Sequence, residues 1–140
     1  MFKNILVPLD ESANAQKAAL VALELAQKYK AEINAISVVS LPEYGGTIGE
    51  VSEAKVEGEM RFQGRLEELR SKGTSVGFQI RTEILYGHPA ERIIKYVINN
   101  SIDLVVIGHK GSSGIKEFFL GSVASRVVQH APCSVLLVKD

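Results

Sequence analysis

Between Asp103 and Val123 the chain reads DLVVIGHKGSSGIKEFFLGSV, and no other stretch restricts the fold as strongly. After Asp103, Leu104 to Ile107 form a short apolar run, the pattern of a buried parallel strand. Gly108, Gly111, Gly114 and Gly121 follow, the last adjoining Ser122. Beyond them Val123, Val127, Val128 and Ala131 return at helical spacing, which predicts a helix over about Ser122 to His130. The order is therefore strand, glycine-rich loop, helix. Glycines allow close approach of a ligand to the backbone, and positive φ without a Cβ clash. A helix N-terminus offers unpaired N–H groups and the positive end of its dipole. Together they make an anion site, most naturally for phosphate.

The rest of the chain alternates in the same way. Residues 2–9 make a mainly apolar first strand with Pro8 late in it, where a missing N–H does least harm. Asp10, Glu11 and Ser12 suit a helix start, and a helix with an alanine-rich face runs from there to about Lys30. Residues 31–39 read as a second strand. Residues 40–50 hold Pro42, Gly45, Gly46 and Gly49, and are read equally as a functional lid or a mobile connection. An amphipathic helix from Val51 to near Gly73 follows, then a third strand over 76–86, whose half-polar alternation suits a sheet edge. Gly87-His88-Pro89 opens a third helix, with Pro89 at its first position. Pro132 ends the last helix, and Cys133 to Val138 form the last strand.

At 140 residues this is one domain spanning 1–140. Strand–helix alternation predicts an α/β fold: a doubly wound, five-stranded parallel sheet with helices on both faces. Right-handed crossovers leave few topologies, of which the order 3-2-1-4-5 is the expected one. Its switch point lies between the first and fourth strands, and ligands bind there, beyond the strands' carboxyl ends. The residues at that point are Pro8, Leu9 and Asp10, with Gly108, His109, Lys110 and Gly111. Fold and glycine pattern thus choose one place by separate routes.

No Walker A string, GxxxxGK[ST], occurs, and GxGxxG with a helix opening directly afterwards is also absent. The spacing is Gly108-x2-Gly111-x9-Gly121-Ser122. It resembles the nucleotide motif of the universal stress protein family, specifically its ATP-binding branch. ILVPLD near the start, GHPAERII in the middle, and DLVVIGHKG through LGSVASRVVQHAPCSVLLV carry the resemblance over nearly the whole chain. It implies a cytoplasmic ATP-binding regulator or sensor of the stress response, usually a homodimer, with an unidentified regulatory protein as partner. It also implies that Gly108, Gly111, Gly121, Ser122 and Val123 contact ribose and phosphates, and that the backbone of Val38 recognises adenine. Ser134 stands where the family often has Pro.

The residues themselves suggest roles for several groups. Ser122 can cap the last helix and also donate to phosphate. Asp10 can accept a ribose hydroxyl or help hold Mg²⁺, or simply serve the start of the first helix. The resemblance favours the ligand role. Loop cations are most often solvated, so His109, Lys110 and Lys116 receive no contact, and His88 reads as a surface turn residue. Cys133 reads as a buried, inert thiol. There is no His/Cys cluster for zinc.

The rival reading is a slow ATP hydrolase or phosphotransferase, which needs a positioned base, and none is evident unless Asp10 serves. Zero net charge argues against nucleic acid or an anionic membrane as main partner. No apolar run is long enough for a bilayer span, no signal-peptide pattern is expected, and one cysteine suits a reducing compartment. The last strand falls at a sheet edge with four consecutive apolar residues, a liability that self-pairing in a homodimer would remove.

Overall fold

The computed structural model describes residues 1–41, 46–110 and 120–140. Strands β1 (Asn4–Pro8), β2 (Glu32–Val39), β3 (Arg81–Tyr86), β4 (Leu104–Gly108) and β5 (Ser134–Val138) alternate with helices α1 (Ala13–Tyr29), α2 (Ile48–Ser75), α3 (Pro89–Asn99) and α4 (Ser122–His130). The strands form a parallel sheet in the order β3-β2-β1-β4-β5, as the alternation predicted.

Side chains alternate across the central strands because a strand has period two. Ile5 and Val7 of β1, and Leu104 and Val106 of β4, face one core with the alanines of α1 and with Leu66 and Leu69 of α2. Leu6, Val105 and Ile107 face the other, against Ile93 and Val97 of α3 and Ala124 and Val127 of α4. The alanine stripe of α1, Ala15, Ala18, Ala19, Ala22 and Ala26, is buried. Small side chains there let the helix axis lie close to the sheet.

Three sequence expectations need correction. β3 starts at Arg81, not at residue 76. Val76 is the C-cap of α2 and Gly77 sits at φ 82, so the chain turns there before running straight. Glycine is what makes that left-handed turn cheap. Ile80 is buried without being in the strand, so burial alternation continued where strand pairing did not. Helix α2 begins at Ile48, where Thr47 accepts the Glu50 N–H at 3.1 Å, so the connection ends earlier than residue 50. Of residues 40–50, given the lid or mobile reading, Pro42, Glu43, Tyr44 and Gly45 lie outside the described residues. Cys133 precedes β5 and is half-buried; burial, and then the charge of Asp103, push its thiol pKa up. Both sheet edges fall as expected: β3 is half-polar, and β5 exposes Ser134 and Leu136.

Candidate functional site

The β1–α1 and β4–α4 connections leave neighbouring strands in opposite directions, which opens a crevice at their carboxyl ends. At β1, Leu9 continues the pairing beyond the strand. Its N–H donates to Ile36 O at 2.8 Å and its carbonyl accepts from the buried Ser37 hydroxyl at 2.6 Å. Asp10 then turns back locally: its Oδ1 accepts from the Ser12 N–H at 2.8 Å and the Ser12 hydroxyl at 2.6 Å. Ser12 Oγ in turn accepts from the Ala15 N–H at 3.0 Å and caps α1. Asp10 therefore serves the helix start and also lines the crevice.

Across the crevice, His109 fixes both ends of the glycine loop. Its N–H donates to Val138 O at 3.0 Å, and its carbonyl accepts the Gly121 N–H at 2.7 Å. The first intrahelical bond of α4 runs from Ser125 N–H to Gly121 O at 2.8 Å. The N–H groups of Ser122, Val123 and Ala124 therefore stand at the helix mouth, and all three residues line the crevice.

Two motif residues behave differently from expectation. Gly121, not Ser122, is the N-cap of α4; among the described residues no side chain caps the helix, and Ser122 is its first residue. Gly121 sits at φ −56, ψ 150, so its place does not depend on left-handed geometry. A Cβ at Gly108 would lie 2.5 Å from Asn14 Oδ1 and 3.1 Å from the Asn14 backbone carbon. The close approach that requires glycine at 108 is thus made to α1. Gly111, together with Gly114 and Lys116, lies outside the described residues.

The resulting cavity has a volume of about 510 Å³. Pro8, Leu9, Asp10, Val38, Gly108, Gly121, Ser122 and Val123, named from the sequence, all line it. Its β2 end has an apolar wall of Val38, Val39 and Phe62, with Ser40 and Arg61 beside it. Its β4 end carries Lys110 beside the mouth of α4. The size and the mix of apolar wall and few polar groups are those of a small-molecule site.

Helix α2 supplies residues that the sequence reading missed. Arg61 and Phe62 line the crevice, with the Arg61 guanidinium 5.5 Å from the Phe62 ring centroid and Nε 3.1 Å from Glu11 Oε1. In sequence Phe62 is a core position and Arg61 its solvated neighbour; only the packing of α2 on β2 brings them here. Asn14 was missed as well. It is 4% exposed, accepts the Lys110 N–H at 3.0 Å and donates to Asp140 Oδ1 at 3.2 Å. A polar residue beside the alanine stripe was its only signal. Lys110, given no contact from sequence, pairs with Asp140 at 3.0 Å. His88 is exposed and is the N-cap of α3. Among the described residues no three His, Cys, Asp or Glu side chains cluster to hold a metal, and no helix is long and apolar enough to cross a membrane.

The model of the universal stress protein family matches residues 1–139. A universal stress protein of Methanocaldococcus jannaschii is 34% identical over 141 residues, covering 99% of this chain and 83% of that one. Among solved structures, universal stress protein UspA from Lactobacillus plantarum superposes with a TM-score of 0.84 at 31% identity, covering 98% of this chain and 97% of that one. Two more distant structures share the fold and contain nucleotides. A universal stress protein in complex with cAMP has a TM-score of 0.75 at 22% identity, covering 98% and 97%. An Arabidopsis thaliana family member with AMP bound has a TM-score of 0.67 at 18% identity, covering 98% and 91%.

Proposed function

The chain belongs to the universal stress protein family, and from that premise we propose that its crevice binds an adenine nucleotide, ATP with Mg²⁺, as the ligand of a stress-response regulator. The observation that carries this reading is the cavity of about 510 Å³ with chemically distinct ends. A flat base suits the wall of Val38, Val39 and Phe62, with the β2 backbone as its hydrogen-bonding edge. Phosphates suit the other end, where the Ser122, Val123 and Ala124 amides and the positive end of α4 meet Lys110. The ribose then lies over Pro8, Leu9 and Asp10, and Gly108 forms the floor. Two family members of the same fold hold cAMP and AMP, which supports an adenine nucleotide as the ligand class.

Asp10 Oδ1 is committed to Ser12, so Oδ2 is the oxygen that would meet a cation. Mg²⁺ is commonly held by one or two carboxylates together with phosphate oxygens, which fits a single Asp at this mouth. The same reading includes a homodimer through β5, whose Leu136 is 38% exposed at the sheet edge. Light scattering on Leu136→Lys tests that part: a shift to monomer is expected, and a folded dimer would move the interface elsewhere.

Thermal melting with and without Mg-ATP tests the main claim. A ligand at a hundredfold excess over Kd adds about 2.7 kcal/mol to the folded state. A rise in Tm saturating with ATP is expected. No rise at millimolar ATP, with calorimetry also silent, would refute nucleotide binding.

A further inference from the structure

Lys110 and Asp140 form a built pair at the phosphate end of the crevice. Lys110 Nζ lies 3.0 Å from Asp140 Oδ2, and the lysine side chain is only 22% exposed. Asn14 fixes both partners from beneath. Its buried amide accepts the Lys110 N–H through Oδ1 and donates through Nδ2 to the Asp140 carboxylate. Gly108 is the residue that makes room for that amide, since a Cβ there would lie 2.5 Å from Asn14 Oδ1. The cation thus lines the cavity with a carboxylate already on it.

An ammonium has three donors and can serve two acceptors at once. A phosphate placed at the mouth of α4 would share Lys110 with Asp140, or take it. A phosphate on Lys110 also comes within a few ångström of the Asp140 carboxylate, and like charges at that range repel. The Lys110 hydrogen bond and charge hold the Asp140 carboxyl below its ordinary value, so at neutral pH the competitor is an anion.

We propose that Lys110 is a phosphate-binding residue of this crevice and that Asp140 competes with phosphate for it, so that the pair grades ligands by their negative charge. The proposal rests on the nucleotide reading above and deepens it. Removing the Asp140 charge leaves Lys110 to the ligand alone, with the largest gain for the most highly charged ligand. Removing the Lys110 charge leaves a carboxylate facing phosphate with nothing between them.

Calorimetry at fixed ionic strength with ATP, AMP and adenosine is the test, on the parent, Asp140→Asn, Lys110→Met and Lys110→Arg, each checked for fold by circular dichroism. Asp140→Asn is expected to tighten ATP roughly three- to tenfold, AMP less, and adenosine not at all. Lys110→Met is expected to weaken ATP roughly tenfold, with Lys110→Arg restoring most of it. If the parent binds ATP and folded Asp140→Asn binds all three ligands as the parent does, the competition is refuted while nucleotide binding stands. Unchanged ATP affinity in folded Lys110→Met refutes the lysine's role in the same way. If the parent binds none of the three, the nucleotide reading falls and the proposal with it.

Discussion

Of the helices that begin at the crevice, α1 and α4 begin differently. The first turn of α1 is closed by its own side chains: Asp10 holds Ser12, and Ser12 holds the Ala15 N–H. The first turn of α4 has glycine as its N-cap and, among the described residues, no side-chain cap, although the backbone around it is held by His109. Both helices direct positive dipole ends toward the same space. What distinguishes them, among the described residues, is whether a side chain takes the acceptor position. A helix that supplies its own acceptor has its N-terminus spent on stability, while one that leaves the position open can spend it on a ligand. With glycine at the N-cap such an opening costs little stability, roughly a few tenths of a kcal/mol against a capping side chain.

The contrast can be broken most severely at Gly121. Its φ and ψ are open to any L residue, so Gly121→Val should keep the fold by circular dichroism. A branched side chain at the helix mouth should cost ATP affinity at least ~100-fold, about 2.7 kcal/mol, by calorimetry. Folded Gly121→Val that binds like the parent would remove the phosphate from α4. Gly108→Ala should act in the other currency. Its Cβ would press on Asn14, and forced repacking of this kind costs about 1–3 kcal/mol of stability, read by denaturant unfolding. The smallest effects separate the two serines. Ser12→Ala removes a true cap and should cost about 1 kcal/mol. Ser122→Ala removes none and should stay within about 0.5 kcal/mol in stability, with only a mild loss in ATP binding. Equal stability losses in the two would erase the distinction.

The strand order, the helix over Ser122–His130 and the place of the crevice were legible because they follow from periodicity and handedness, which a single sequence carries. The start of β3 was not. Val76 to Ile80 alternate in burial-prone residues, and periodicity cannot tell a strand from a turn that buries Ile80 and half-buries Phe78 while leaving Val76 exposed. The contact of Gly108 with α1 was hidden for a related reason: a glycine spacing announces close approach without saying what approaches, and here Asn14 does. Arg61, Phe62 and Asn14 reach the crevice through packing of α2 and α1 on the sheet, between residues far apart in sequence. No local pattern encodes that. Val38 was placed by resemblance alone, since backbone recognition leaves no mark on residue type.

The central claim is that phosphate charge is received at the open helix mouth and not at the capped one. Amide chemical-shift titration of the protein with ATP, set against the same titration with adenosine, measures this residue by residue. The account predicts that the difference between the two ligands concentrates on Ser122, Val123 and Ala124 and is small at Ala13, Asn14 and Ala15. A difference centred on the start of α1, or none at either helix under saturating ATP, would contradict it.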